Sequence, residues 1–276
     1  MTSFKRPQKK YAQHWLRCDR TLAEIIAAAE LAPGDRVLEI GPGTGVLTEQ
    51  LLAANAWVTA VEVDSALHTP LSEKFSQNPR FLLVPGDILH LNLTRTLANQ
   101  SPFSDPSKVV ANIPYNITGP ILQRLLGKIE QAAAASFDLL VLLVQKEVGE
   151  RLIAHPGQKA YGALSIRVQY LAVSDMITVV PATAFFPPPR VDSMVVRLRP
   201  RPAPIPAVDP SLLAQLITLG FSSRRKMLRN NLKSQIAPDR LTEILKKLDI
   251  NPQIRAENLG VDQWIALANI LVASQP

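Results

Sequence analysis

An apolar segment, Arg36 to Ile40, runs directly into Gly41-Pro42-Gly43-Thr44-Gly45 and then into Val46 to Asn55, which carries helical periodicity. Glycines at alternate positions between a strand and a helix leave the backbone bare where a Cβ would block a ligand. The turn commits the chain to an α/β sheet. Trp57 to Val63, Phe81 to Val84, Lys108 to Ala111 and Phe137 to Val144 read as further buried strands, with Thr21 to Leu31 and Asp64 to Phe75 as helices. Strands alternating with helices make a parallel sheet with crossovers. Ile177 to Val180 and Ser193 to Arg199 are separated by a proline-rich bend without a long helix, so they end the sheet as an antiparallel hairpin.

Three acids qualify the glycine turn. Glu39 stands inside the first apolar strand, where a carboxylate needs partners. Glu62 ends the next strand, 17 residues after Gly45, where an acid can accept both hydroxyls of a ribose. Asp87, in Gly86-Asp87-Ile88, closes the third strand, where an adenine edge would arrive. Gly41, Gly43 and Gly45 give Gly-x-Gly-x-Gly, not the Gly-x-Gly-x-x-Gly of pyrophosphate binders. S-adenosylmethionine has no phosphate to seat on the helix N-terminus, and its cationic groups favour nearby carboxylates. The spacing therefore predicts that cofactor over a nicotinamide dinucleotide. A plain structural turn would leave Glu39 unexplained.

A second string, Asn112-Ile113-Pro114-Tyr115, follows the fourth strand at the carboxyl edge, where ligands of such sheets bind. The N6 amine of adenine is a poor nucleophile because its lone pair is delocalised into the ring. Two acceptors on its hydrogens, the Asn112 side-chain oxygen and the Ile113 carbonyl, would draw it toward tetrahedral geometry. Pro114 stiffens the turn, and Tyr115 can stack on the base at ~1–3 kcal/mol. The two strings together predict methyl transfer to a base nitrogen.

Composition narrows the setting. With 276 residues, 47% of them hydrophobic, the chain can bury a full core and a smaller second domain. Its longest apolar run, Phe137 to Val144, falls short of the ~20 residues that cross a bilayer, and no apolar stretch follows the N-terminal lysines as in a signal peptide. Cys18 is the single cysteine, so no internal disulfide forms and a reducing, cytoplasmic setting is expected. His68, His90 and His155 have no metal-ligand spacing among themselves or with Cys18, and no metal is expected. The net charge of +7 is concentrated in Lys5, Arg6, Lys9 and Lys10, and again in Arg224, Arg225, Lys226, Arg229 and Lys233. Such blocks suit a phosphate backbone; a solvated tail and a solvated helix face are the alternative.

Nine of the 23 prolines fall between Pro181 and Pro210. The stretch 201–209 reads as a stiff linker, separating a catalytic domain at 1–200 from a helical domain at 210–276. Helices are predicted there over Leu212–Phe221, Ser223–Ile236, Asp239–Leu248 and Val261–Val272.

Over nearly its whole length the chain resembles the small-subunit (16S) ribosomal RNA adenine N6,N6-dimethyltransferases. The matching strings include Gln13-His14-Trp15-Leu16, the glycine turn, Glu62-Val63-Asp64, Gly86-Asp87 and Asn112 to Ile117. They continue through Gln145-Lys146-Glu147-Val148, Tyr161 to Ser165, Phe185 with Pro187 to Ser193, and Arg224-Arg225-Lys226 with Leu228 to Leu232. The resemblance implies a Rossmann-like class I S-adenosylmethionine-dependent methyltransferase sheet with a small C-terminal helical domain. It implies dimethylation of two adjacent adenosines in the 3′-terminal hairpin loop of small-subunit rRNA, by a monomer acting on a pre-30S particle during ribosome biogenesis. It places cofactor contacts at His14, Leu16, Gly41, Gly43, Glu62, Asp87 and Asn112, and sets Phe185 over the target base opposite Tyr115. Arg224, Arg225, Lys226 and Arg229 would hold the RNA. The family usually reads Gly-Gln-Asn-Phe-Leu where this chain has Ala12-Gln13-His14-Trp15-Leu16. Methyltransferases of the large-subunit (23S) adenine type share both central motifs and are the alternative; an assembly factor without catalysis would need no amine clamp.

Overall fold

The computed structural model describes residues 8, 11, 13–133, 137–203 and 205–274. Lys5, Arg6, Lys9 and Lys10, the first basic block, lie outside the described residues. The chain divides into two compact units: Met1–Leu125 with Ala133–Gly149 and Asp175–Pro200, and Leu126–Ala132 with Glu150–Ser174 and Arg201–Pro276.

The first unit is built on a seven-stranded sheet: β1 (Arg36–Ile40), β2 (Trp57–Glu62), β3 (Phe81–Pro85), β4 (Lys108–Asn112), β5 (Leu139–Gln145), β6 (Ala172–Val180) and β7 (Ser193–Pro200). Their order is β3-β2-β1-β4-β5-β7-β6. β1 to β5 pair in parallel, and β7 runs antiparallel to β5 with Val195 opposite Leu143. The expected α/β sheet is therefore present, and β7 is inserted between β5 and the edge strand β6. The central strands β1, β2, β4 and β5 are buried on both faces, which is why they are continuous apolar runs instead of alternating ones, whereas the edge strand β6 exposes Val173, Met176 and Val179. On one face Val37, Val58, Val110, Val141 and Leu143 pack with Leu22, Leu51 and Leu71 from the helices Asp19–Ala28, Val46–Ala53 and Ser65–Lys74. Each fully buried aliphatic side chain contributes about 1.5–3 kcal/mol.

The register sets the site. Ile40 lies opposite Val61, and Val61 opposite Val84, so β1, β2 and β3 end together. Asn112, paired with Leu143, ends β4 on the same edge. Gly41, Glu62, Asp87 and Asn112 thus leave the sheet side by side. A short antiparallel ribbon joins Trp15 to Phe186 and Leu16 to Phe185 in the same unit.

The second unit has its own core, in which Trp264, Leu216, Leu241 and Leu267 are almost wholly buried. Its helices are Ala163–Leu171, Pro210–Gly220, Leu228–Asn231, Pro238–Lys247 and Val261–Ala273. Two expectations change here. The helix expected over Ser223–Ile236 is confined to Leu228–Asn231: Leu228 N donates to the distant Ile254 carbonyl instead of to the residue four before it, and the Asn231 amide ties the preceding turn through the Gly220 and Ser223 carbonyls. The boundary expected at 201–209 does not separate the units cleanly, since 126–132 and 150–174 belong with the helical one. Tyr161, Ile166 and Tyr170 are the cause: they are buried in the helical core. No helix among the described residues is long and apolar enough to cross a membrane.

Candidate active site

A cavity of about 200 Å³ opens at the carboxyl edge of the sheet. The predicted residues His14, Gly41, Gly43, Glu62, Asp87, Asn112, Ile113, Pro114 and Tyr115 all contribute to its wall. Two predicted residues do not. Leu16 is 6% exposed and borders a separate small cavity of about 30 Å³ beside the glycine turn. Phe185 is 4% exposed, packed in the sheet core opposite Leu16. Its ring lies on the core side of the ribbon and outside the cavity wall, where burial of an aromatic ring is favourable.

The glycine turn is held from both sides. Gly45 caps the helix Val46–Ala53 at φ 78°, and a Cβ there would lie 2.7 Å from the Phe75 ring. Gly43, at φ 59°, faces Trp15, and an added Cβ would meet the indole at 3.1 Å. Any side chain at either position would be strained; at Gly45 it would clash with the Phe75 ring, and at Gly43 it would press on Trp15 in the cavity wall.

Glu62 is 3% exposed, and its two oxygens accept from Asp64 N at 2.9 Å and Gly43 N at 3.2 Å. Burial raises its pKa, against the lowering effect of those backbone donors. Each oxygen keeps a lone pair for a ligand hydroxyl. Asp87 is tied by one oxygen, which accepts from Leu89 N at 2.9 Å. Glu39 behaves differently from a ligand carboxylate. It is 1% exposed, and Thr48 donates its hydroxyl hydrogen to it at 2.6 Å. Burial drives its pKa up to about 8, which favours the protonated form at neutral pH, and the group fastens the strand to the helix after the turn.

The amide of Asn112 has a defined orientation. Its Nδ2 donates to the His14 carbonyl at 2.9 Å, which only an NH₂ can do, and so Oδ1 is its remaining acceptor. The His14 ring donates through Nδ1 to the Pro187 carbonyl at 2.7 Å. It also stacks on Tyr115, with ring centroids 5.5 Å apart and planes inclined by 22°. The Tyr115 hydroxyl lies 2.5 Å from Ser193 Oγ, and burial raises its pKa. Tyr115 is thus fixed at its edge and on one face, which leaves the other face for a ligand.

Two residues without an assigned role complete the site, Trp15 in the cavity wall and Asp64 behind it. Trp15 Nε1 is buried with no hydrogen-bond partner among the described residues, and the indole lines both cavities. An unpaired buried N–H is costly, and it points to an acceptor supplied by a ligand. Asp64, 3% exposed, accepts from Gln8 and Gln13 side chains at 3.0 Å and so ties the N-terminal segment to the end of β2. The signal for it was an acid directly after an apolar strand. The residues present fit S-adenosylmethionine: a glycine cradle, an acid for its ribose, an acid at the adenine end, and an orphan donor suited to its carboxylate.

In the second unit the basic cluster is divided. Arg224, although exposed, pairs with Glu257 at 3.1 Å and donates to the Lys159 carbonyl at 2.7 Å, which partly neutralises its charge. Arg225 and Lys226 are exposed, and Arg229 is half-buried.

The family profile described as ribosomal RNA adenine dimethylase matches residues 4–273. The chain is 53% identical to a ribosomal RNA small subunit methyltransferase A of Nostoc sp., over 96% of this chain and 98% of that one. It is 55% identical to the protein of that name from Crocosphaera subtropica, over 95% and 97%. Among solved structures, a dimethyladenosine transferase from Plasmodium falciparum superposes with a TM-score of 0.74 at 26% identity, covering 92% of this chain and 96% of that one. The 23S rRNA methyltransferase ErmE superposes with a TM-score of 0.72 at 27% identity, over 94% and 99%. With its sheet order, glycine cradle and oriented asparagine, the chain belongs to the ribosomal RNA adenine dimethylase family of S-adenosylmethionine-dependent methyltransferases built on a Rossmann-like sheet.

Proposed function

We propose that the protein transfers methyl groups to N6 of two adjacent adenosines in the 3′-terminal hairpin loop of small-subunit rRNA, giving N6,N6-dimethyladenosine. The observation that carries this is the Asn112 amide, whose donation to His14 O fixes Oδ1 as an acceptor in the cavity wall. When bound, S-adenosylmethionine supplies an electrophilic methyl carbon. Asn112 Oδ1 and the Ile113 carbonyl accept the two hydrogens of the adenine amine and draw its lone pair out of the ring. Tyr115 holds the base plane on its open face. Alignment of this kind can lower a barrier by ~7–11 kcal/mol. Methylation makes the amine acidic, and its proton leaves to water, so no side-chain base is needed. After the first transfer one N–H remains, and the methylamine turns to present it again to one of the two oxygens.

The small-subunit reading is favoured over the large-subunit one by the relatives: 53–55% identity to proteins named for the small subunit, against 27% to ErmE. It carries with it a cytoplasmic location, action as a monomer, and a pre-30S particle as partner. Arg225, Lys226 and Arg229 would lie on the phosphate backbone. The test is mass spectrometry of both rRNAs after incubating the purified protein with small subunits lacking the modification and with naked large-subunit rRNA. Dimethyladenosine in the small-subunit RNA is the expected product; transfer confined to the large-subunit RNA refutes the proposal.

A further inference from the structure

We propose that Phe186 is a stacking platform for the nucleotide that flanks the target adenosine, with Arg17 facing that nucleotide's phosphate; this rests on the adenosine-methylating reading above. Phe186 is 44% exposed, while its neighbour Phe185 is buried. Single exposed apolar residues are common and need no explanation. Three observations set this one apart.

The backbone that carries the ring is held in place. Phe186 pairs with Trp15 across the two-residue ribbon, and the ribbon is extended by Arg17 N donating to Ala184 O at 2.8 Å. On the far side, the His14 ring donates to the carbonyl of Pro187 at 2.7 Å. The ring lies outside the cavity wall but next to it in the ribbon, whose Trp15 lines the cavity together with the anchoring His14. Finally, it carries a cation. The Arg17 guanidinium sits 4.1 Å from its centroid, covering one face. Arg17 is exposed, and no carboxylate pairs with it among the described residues.

A fixed aromatic ring with one free face and an unneutralised guanidinium matches how single-stranded nucleic acid is held, base on ring and phosphate on cation. The adenosine that enters the cavity leaves its neighbour without a stacking partner, and unstacking is what such extrusion costs. A platform beside the cavity replaces the lost stack. A protein partner would need a broader apolar patch; here Pro187 and Pro188 are flanked by Arg17 and Arg190, all exposed.

The test uses small ribosomal subunits reconstituted with unaltered rRNA, or with either one of the adjacent adenosines replaced by uridine, which stacks more weakly. Initial rates of methyl transfer to the remaining adenosine are measured for the wild-type protein, Phe186→Ala, Phe186→Leu and Phe186→Trp. On unaltered RNA, Phe186→Ala should lower kcat/KM about 5- to 150-fold, the range expected for one base–aromatic stack. Phe186→Leu should lose nearly as much, and Phe186→Trp should keep wild-type rates. On at least one uridine-containing RNA the wild-type rate should fall and the further effect of Phe186→Ala should shrink, because both changes remove the same contact. Cofactor affinity by calorimetry should be the same in every variant. Equal losses on all three RNAs, or full activity of Phe186→Leu, overturn the platform while leaving the methylation reading intact. No transfer by the wild-type protein to unaltered subunits refutes that reading, and the platform with it.

Discussion

Glu39 offers a sharp test of how the cofactor turn is fastened. Its folded pKa is raised from 4.5 to about 8, first by burial and then by the nearby Glu62 charge, with Thr48 and Lys74 acting in the opposite direction. The unfolded chain releases this proton near pH 4.5, whereas the folded protein keeps it to about pH 8. Between those values folding takes up a proton, so the stabilisation is fully present below the lower value and is lost as pH rises through the upper one. The slope is about 1.4 kcal/mol per pH unit, and the whole window amounts to about 5 kcal/mol. That is comparable with the entire stability of many domains, about 5–15 kcal/mol. Glu39→Gln keeps an acceptor for the Thr48 hydroxyl and removes the titration. Urea unfolding of the cofactor-free protein at about pH 5, 6.5 and 8 should show wild-type stability falling relative to the variant by that slope. Glu62, also shifted upward, is common to both proteins, so only its coupling to Glu39 enters the difference. Parallel pH curves for the two proteins would refute a neutral, proton-retaining Glu39.

Asn112→Ala should reduce kcat by at least about 100-fold, the scale of losing one aimed polar group at a reacting centre, while calorimetry shows cofactor affinity nearly unchanged; comparable turnover would contradict the clamp. Trp15→Phe removes the orphan indole N–H together with part of the ring beside Gly43, and a cofactor Kd raised about 10- to 100-fold is expected if that donor meets a carboxylate. An unchanged Kd would show that Nε1 has no acceptor in the complex. Arg225→Ala and Lys226→Ala should each lower the slope of log affinity against log salt for RNA by about 0.7–0.9. Arg224→Ala should leave that slope nearly alone and instead lower stability by about 1 kcal/mol, by unpairing Glu257 and Lys159 O; the reverse pattern would mean that Arg224 turns outward to RNA.

The sequence determined the glycine turn and the parallel strands to within a residue or two, whereas the edge strand expected at Ile177–Val180 begins five residues earlier, at Ala172. Arg36–Ile40 needed no correction, and Trp57–Glu62, Phe81–Pro85 and Lys108–Asn112 differ from expectation by one residue at an end. Apolar runs bounded by glycine, proline and charge are local signals, and a buried parallel strand is specified by little else. The amine-clamp string was legible for the same reason, because it sits directly after such a strand. What required the tertiary structure was every property set by a distant partner. Phe185 and Phe186 are adjacent aromatics that only the ribbon with Trp15 and Leu16 sorts into one buried and one exposed. Arg224 looks like its basic neighbours until Glu257 meets it. The helix expected from Ser223 is cut short where Leu228 N donates to the distant Ile254 carbonyl, and the segment 150–174 joins the helical core through Tyr161, Ile166 and Tyr170. Periodicity and allowed backbone angles are written within a few residues of chain; burial and charge pairing depend on which remote segments meet, and those the fold alone decides.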